Sequence, residues 1–203
     1  MLPNGIRILT SSFRHTNAVS IIFLFGAGSR YETPELAGAS HLFEHMLFKG
    51  TPERPTPRAI SEVVEGVGGT LNAFTDREVT GYWCRLAQPN YRDGIDLLSD
   101  MTLNSIFREE DIAKEKQVVY EEIRASFDSP AARASMLLDD LLWPDQPMGR
   151  DIAGSVKSVE AISRDEMCKY LETQYVGSNT VIAIAGNIEH QDVVDQIKNS
   201  LGS

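Results

Sequence analysis

Short apolar runs bounded by turn residues predict five β-strands along the chain. The predicted strands cover residues 6–10, 18–25, 71–74, 79–86 and 180–185. These runs are rich in Ile, Val, Leu and Phe, and turn-forming residues such as Gly and Asn end them. The last run lies between Asn179 and Gly186 and is apolar throughout, which is typical of a buried strand.

Start and stop signals divide most of the remaining chain into helices. Thr33-Pro34 and Thr56-Pro57 each combine a threonine N-cap with a proline at the first helical position. The first of these helices is expected to run to Lys49, with Gly50 as its stop, and the second to end at the glycines 66–69. Further helices are predicted over residues 89–106, 109–127, 130–143, 163–175 and 191–201, with a loop over 144–154.

This order of elements predicts an α+β fold with a mixed, largely antiparallel sheet and helices packed on one of its faces. The chain has 203 residues and 42% hydrophobic content. That length supports one core of ordinary size, so we expect a single domain over residues 1–203.

Charge and cysteine usage narrow the choice of partners and compartment. The chain has 19 basic and 29 acidic residues, for a formal net charge of −10. That sign argues against nucleic acid and against anionic lipid surfaces as partners. Cys84 and Cys168 form no CxxC pair. A disulfide between them is one interpretation, but their spacing and number favour two ordinary thiols in a reducing compartment. No signal peptide or membrane-spanning run is visible, so we expect a cytoplasmic protein.

The strongest chemical signal is the sequence HLFEH at residues 41–45, in the middle of the first predicted helix. Two histidines four residues apart lie on one helix face, about 6 Å apart along the axis. Their imidazoles can therefore converge on one zinc ion. Glu44 lies on the same side and can accept a proton from metal-bound water. His41 and His45 are thus predicted zinc ligands, with Glu44 as the base.

A catalytic zinc site needs a third protein ligand, and the predicted helix 109–127 offers one. Glu115 and Glu122 are seven residues apart and share a helix face, with Val118 and Val119 between them on that side. We therefore expect this face to point inward, where a carboxylate needs a cationic partner. That partner is either a zinc ion or a lysine or arginine. Glu121 points to another side and is predicted to be solvated.

With these residues the chain resembles the pitrilysin-type (inverzincin) zinc peptidases, which include the mitochondrial processing peptidase and related bacterial zinc peptidases. The resemblance covers essentially the whole chain. The matching segments are LPNG at 2–5, GAGSR at 26–30, HLFEHMLFKGT at 41–51, GGTLNAFT at 68–75 with Glu78 and Thr80, and EKQVVYEE at 115–122.

The resemblance implies a zinc-dependent endopeptidase that hydrolyses extended or unfolded peptides through zinc-activated water. It implies Glu122 as the third ligand, with Glu121 as the alternative one residue earlier. Glu44 would be the general base and Glu115 a second catalytic glutamate beside the ligands. Asn72, Ala73 and Phe74 would form the sheet edge that pairs with the substrate.

Members of this family usually have a second, similar domain that faces the first across a cavity. We therefore expect a second homologous domain or subunit as a partner, and a homodimer is one way to supply it. The alternative hypothesis is a non-catalytic structural or substrate-binding subunit of the same fold. Such a subunit normally has a damaged metal site, whereas His41, Glu44, His45 and Glu122 are all present here. A nucleotide-binding domain is disfavoured because the glycines 66–69 lack the lysine and the helix start of a phosphate-binding loop.

Overall fold

The computed structural model describes residues 1–202, which form five strands and eight α-helices. The strands are β1 (Arg7–Ser12), β2 (Ala18–Phe25), β3 (Thr70–Thr75), β4 (Thr80–Ala87) and β5 (Thr180–Gly186). All five predicted strands are present, with ends that differ from the prediction by up to two residues. The sequence therefore located every strand of the sheet.

The strands form one mixed sheet in the order β1-β5-β2-β4-β3. Only β1 and β5 run parallel, with Leu9 opposite Ala183, and the other three pairings are antiparallel. Strand β3 lies at an edge and pairs with β4 alone within residues 1–202. The prediction of a mixed, largely antiparallel sheet is confirmed.

The helices are α1 (Ala39–Leu47), α2 (Pro57–Glu65), α3 (Tyr91–Asn104), α4 (Glu109–Asp128), α5 (Pro130–Leu142), α6 (Val156–Ala161), α7 (Arg164–Gln174) and α8 (His190–Leu201). Apolar residues alternate along β2, so that Val19, Ile21, Phe23 and Phe25 are buried on one sheet face. Helix α3 packs against β2 and β4, and α1 and α2 contact β3. The opposite face carries the more exposed side chains of Leu9 and Phe74.

The predicted single helix over residues 33–49 is wrong. Residues Pro34–Leu36 form a short 3-10 turn, and α1 begins only at Ala39. The break is at Gly38, which has a left-handed φ of 94° that ordinary residues rarely adopt. Thr33 also makes no side-chain cap bond. The predicted cap at Thr56 is confirmed, because its side chain accepts a hydrogen bond from the Ala59 N–H.

The sequence interpretation missed helix α6. Its signal is a capping box in which the side chains and backbone N–H groups of Ser155 and Ser158 bond reciprocally. Serine at both positions is a weaker sequence signature than the usual Ser/Thr with Glu/Gln, which is found at Ser163 and Glu166 of α7. Part of the predicted loop 144–154 also forms a 3-10 turn over Pro147–Gly149.

Candidate metal centre

The N-terminus of helix α1 is capped by the carboxylate of Glu32, which lies in the segment just before the helix, and not by the side chain of the N-cap residue. The N-cap residue, Gly38, has no side chain that could cap the helix, and the Glu32 carboxylate binds the free N–H groups there instead. Its two carboxylate oxygens accept hydrogen bonds from the N–H groups of Gly38 and Ser40, at 2.8 and 2.6 Å. The Ser40 hydroxyl also bonds the Tyr170 hydroxyl on α7, at 2.7 Å. Burial raises the pKa of Glu32, and these hydrogen bonds oppose that rise.

Three potential metal donors meet where α1 faces α4. The Nε2 atoms of His41 and His45 each lie 3.6 Å from one carboxylate oxygen of Glu122. One ligand atom from each of the three residues falls within 4.8 Å of the others. The structure therefore brings together the two histidines and the glutamate that the sequence proposed as ligands.

These donors suit a zinc ion in both chemistry and spacing. Zinc prefers tetrahedral sites with imidazole and carboxylate ligands, and bonds of about 2.0–2.1 Å place ligand atoms about 3.3 Å apart. The two observed 3.6 Å distances lie close to that spacing. Two histidines and one carboxylate also leave a fourth position open, as catalytic zinc sites do.

Burial keeps His41 uncharged near neutral pH. Desolvation, with a smaller contribution from the neighbouring His45, lowers the pKa of His41 to about 4. Its Nδ1 atom is buried and has no hydrogen-bond partner among residues 1–202. A neutral imidazole is the form that binds metal, so His41 needs no deprotonation to become a ligand.

His45 is held from its other side by Glu115. The Nδ1 atom of His45 lies 3.1 Å from Oε2 of Glu115, and Oε1 of Glu115 lies 2.7 Å from the Lys49 ammonium group. Of the two partners considered for Glu115 from the sequence, a zinc ion or a basic residue, the structure shows the basic residue, Lys49. The other oxygen of Glu115 contacts His45, one of the three clustered donors. This contact makes Nδ1 the donor nitrogen of His45 and leaves the Nε2 lone pair toward Glu122.

Glu44 lies beside the cluster and is tied to the edge strand. The Thr75 hydroxyl, at the end of β3, donates a 2.6 Å hydrogen bond to the Glu44 carboxylate. Burial raises the pKa of Glu44, while Thr75 and His45 lower it and Glu122 raises it further. A carboxylate with a raised pKa accepts a proton more readily than an exposed one, as a general base requires.

The predicted substrate segment Asn72, Ala73 and Phe74 lies on edge strand β3, which ends at Thr75. Phe74 is 37% exposed, and the Ala73 N–H donates to the Asn72 side chain. The exposed side chains of Asn72 and Phe74 make the segment accessible, and the next residue, Thr75, contacts Glu44. Its role in binding substrate stays a prediction.

The face of α4 is less uniformly buried than the sequence suggested. Val119 is fully buried, but Val118 is 42% exposed, so the expectation that both valines point inward is wrong for Val118. The Glu115 side chain is 11% exposed, whereas that of Glu122 is 45% exposed. Glu121 is solvated as predicted, and it pairs with Arg124 on the next turn. Glu122 lies near the end of the packed part of α4, whose last buried residue is Ile123.

Sequence reasoning assigned no role to Lys49, Thr75 or Glu32. Lys49 and Thr75 contact site residues that are far from them in the chain. Glu32 instead caps helix α1 from the segment just before that helix. Lys49 and Thr75 do lie inside the segments that carry the family resemblance, which was a usable signal. Glu32 lies outside them.

His15 and His190 do not join the donor cluster within residues 1–202; His190 instead bonds Thr10 through Nδ1. Cys84 and Cys168 are both free thiols there, and burial raises the pKa of Cys84 to about 12. Within the same residues, none of the helices has the length and apolar character needed to span a bilayer.

Comparison with known proteins agrees with this geometry. Residues 7–156 match the family described as insulinase, peptidase family M16, and residues 161–203 match the M16 inactive domain. The chain is 37% identical over 202 residues to an uncharacterized zinc protease of Rickettsia bellii, covering 100% of the chain and 49% of that protein. It is 38% identical over 200 residues to a probable mitochondrial-processing peptidase subunit beta of Arabidopsis thaliana, covering 97% of the chain and 37% of that protein.

The fold itself recurs in solved structures. A protease from Helicobacter pylori superposes on the whole chain with a TM-score of 0.94 at 23% identity, using 49% of its own length. At that identity the likeness concerns the fold alone. The chain spans about half the length, or less, of the curated relatives it matches.

Proposed function

Because the chain belongs to the insulinase family of peptidases, M16, we propose that it is the zinc-binding half of a metalloendopeptidase. The observation that carries the proposal is the cluster in which Glu122 lies 3.6 Å from the Nε2 atoms of His41 and His45. The relatives described as zinc proteases support the choice of metal. The intact donor set disfavours the alternative of a non-catalytic subunit.

In this proposal His41, His45 and Glu122 hold the zinc ion. A zinc ion held there supplies Lewis acidity, which acidifies water and polarises a peptide carbonyl. Glu115 does not reach the donor cluster, and its carboxylate contacts the far side of His45. We therefore assign Glu115 as a positioning residue, which replaces the catalytic role expected from the sequence.

Glu44 carries the proton transfers. Its carboxylate accepts a proton from the attacking water and delivers it to the nitrogen of the leaving amine. Burial favours this use because it raises the pKa of Glu44. The Thr75 hydroxyl holds one carboxylate oxygen, so the other stays available for the proton.

The substrate in this proposal is an extended or unfolded peptide that pairs with edge strand β3 along Asn72, Ala73 and Phe74. Backbone pairing suits an edge strand because the N–H and C=O groups on its open side can bind a peptide of varied sequence. In this proposal the peptide displaces the Asn72 side chain from the Ala73 N–H. The strand leads to Thr75, which contacts Glu44. A peptide on this edge would therefore extend toward the proposed base.

We further propose that turnover requires a second homologous domain or subunit, because this chain spans 49% or less of the matched relatives quoted above. A homodimer is one arrangement that would supply it. Zinc binding needs none of that second half, since all three proposed ligands belong to this chain. The single domain over 1–203 and the cytoplasmic location stay predictions.

The test is peptide cleavage by the zinc-loaded chain, alone and with a second half supplied, comparing Glu44→Gln with the wild type. We expect cleavage to fall by about 10²–10⁴-fold, the usual contribution of a general base, while the zinc content is unchanged. Glu65→Gln, at an exposed glutamate of α2, serves as the control and should cleave normally. If Glu44→Gln cleaved the peptide as fast as the wild type, the role of Glu44 would be wrong. If the zinc-loaded wild type cleaved no peptide either alone or with a second half, the proposed peptidase activity would be wrong.

A further inference from the structure

We propose that Lys49 is a positioning residue for zinc, acting through Glu115 on His45. The contacts form one chain: Lys49 Nζ lies 2.7 Å from Glu115 Oε1, and Glu115 Oε2 lies 3.1 Å from His45 Nδ1. The inference rests on the proposed function and names a residue outside the ligand set.

The two oxygens of Glu115 are divided between two partners. Its side chain is 11% exposed, and a carboxylate so far removed from water needs charged or hydrogen-bonding partners. Lys49 binds Oε1 through a charge-assisted contact, which leaves Oε2 directed at the imidazole. A histidine that donates Nδ1–H to a fixed carboxylate has one defined tautomer, with the Nε2 lone pair free for a metal.

The turn after α1 places Lys49 where it can make this contact. Gly50 has a φ of 144°, and a Cβ there would lie 2.8 Å from the carbonyl oxygen of Pro55. The Gly50 carbonyl accepts a hydrogen bond from the Ile106 N–H, just before α4. The chain therefore turns tightly beside the start of α4, and the Lys49 side chain is 25% exposed as it reaches Glu115.

Without Lys49, Oε1 of Glu115 would lack its cation. Rotation toward water would then hydrate the Glu115 carboxylate and lower its free energy, and this rotation would break the contact of Oε2 with His45. Groups that orient a metal-binding histidine typically change metal affinity by about 10–100-fold when they are lost. We therefore expect Lys49→Met to weaken zinc binding by at least about tenfold.

The experiment is a double-mutant cycle on zinc affinity, measured by competition with a chromophoric chelator. The proteins are the wild type, Lys49→Met, Glu115→Gln and the double variant. Lys114→Met is the matched control, because Lys114 is 69% exposed on α4 and its loss removes the same charge. If Lys49→Met is too unstable to purify, Lys49→Gln takes its place, with the same expected direction.

We expect Lys49→Met to lose at least about tenfold in affinity, but less than about twofold when Glu115→Gln is already present. We also expect the NMR signal of the His45 Nδ1–H in the zinc-loaded protein to weaken in Lys49→Met and persist in Lys114→Met. If Lys49 only stabilised the fold, its replacement would lower the melting temperature without changing this NMR signal.

Three results would overturn the proposal. Lys49→Met could bind zinc as tightly as the wild type, or it could lose equal affinity with and without Glu115→Gln. In both cases the proposed function stands, since the wild type still binds zinc. A wild-type chain that binds no zinc would remove the proposed function and, with it, the role of Lys49.

Discussion

Helix α1 and the arm formed by residues 124–142, which comprises the end of α4 and all of α5, differ in how much of their surface is packed. Six of the nine residues of α1 are buried, and Glu32 holds its N-terminus. In α5, which lies wholly within the described residues, no residue is buried, and Leu141 is 78% exposed. Glu122 lies just before this arm, whereas the histidines lie in the packed helix.

This contrast shows that the proposed ligands are not equally preorganised. The His41 and His45 side chains are 20% and 17% exposed, and the fold fixes their orientation. The Glu122 side chain is 45% exposed and lies where the packed part of α4 ends. Side chains locked by packing hold a metal geometry more closely than exposed ones. The histidine pair therefore defines the site, and the glutamate completes it.

The largest expected effect compares the packing of the arm with the packing of the part of α4 that precedes it. Ile112, in the packed part of α4, is 5% exposed, so Ile112→Ala should lower the free energy of unfolding by about 2–5 kcal/mol. Leu141→Ala in the arm should change it by less than about 0.5 kcal/mol. Urea unfolding of both variants measures the difference. Equal losses would mean that the arm is packed as tightly as the core of α4.

The second prediction concerns pH and the packed histidine. The pKa of His41 is lowered from 6.5 to about 4, so the unfolded chain binds more protons than the folded one between these values. The metal-free protein should therefore lose stability as pH falls from 6.5 to 4, by at most about 3 kcal/mol from His41.

Unfolding of the wild type and His41→Gln across this pH range isolates the contribution of His41, since all other groups titrate in both proteins. The stability difference should shift in favour of His41→Gln as pH falls. A constant difference would mean that His41 titrates normally and is not desolvated as the structure indicates.

The smallest effect concerns the contact between edge strand and base. Thr75→Val removes the 2.6 Å hydrogen bond to Glu44. A hydrogen bond to a charged group contributes about 1.5–3 kcal/mol, so turnover in an assembly that cleaves peptides should fall by at least about tenfold. Thr75→Ser keeps the hydroxyl and should retain most activity. Steady-state kinetics should place the loss in kcat. A loss confined to KM would show that Thr75 serves substrate binding instead.

The sequence predicted the local parts of the site well because they follow from helix geometry. The four-residue spacing of His41 and His45 and the seven-residue spacing of Glu115 and Glu122 each put side chains on one face. The structure brings three of these four into the donor cluster. Spacing could not reveal how deep each position lies, which is why Val118 was wrongly placed inward.

The features of the site that escaped prediction depend on contacts that each residue makes outside its own helix or strand. A threonine followed by proline favoured a helix start at residue 33, but the left-handed Gly38 and the cap from Glu32 moved the start to Ala39. The contacts of Lys49 with Glu115 and of Thr75 with Glu44 join residues that are 66 and 31 positions apart in the chain. Their partners are fixed only once the sheet and helices have packed.

The measurement that tests the three-ligand assignment most directly is the zinc content of the purified chain and of two neighbouring variants. Glu122→Gln removes the proposed ligand, and Glu121→Gln changes the adjacent exposed glutamate that pairs with Arg124. Elemental analysis should find about one zinc per chain in the wild type and in Glu121→Gln, and a clear loss in Glu122→Gln. Zinc retained by Glu122→Gln but lost from Glu121→Gln, or absent from the wild type after zinc is added back, would contradict the assignment.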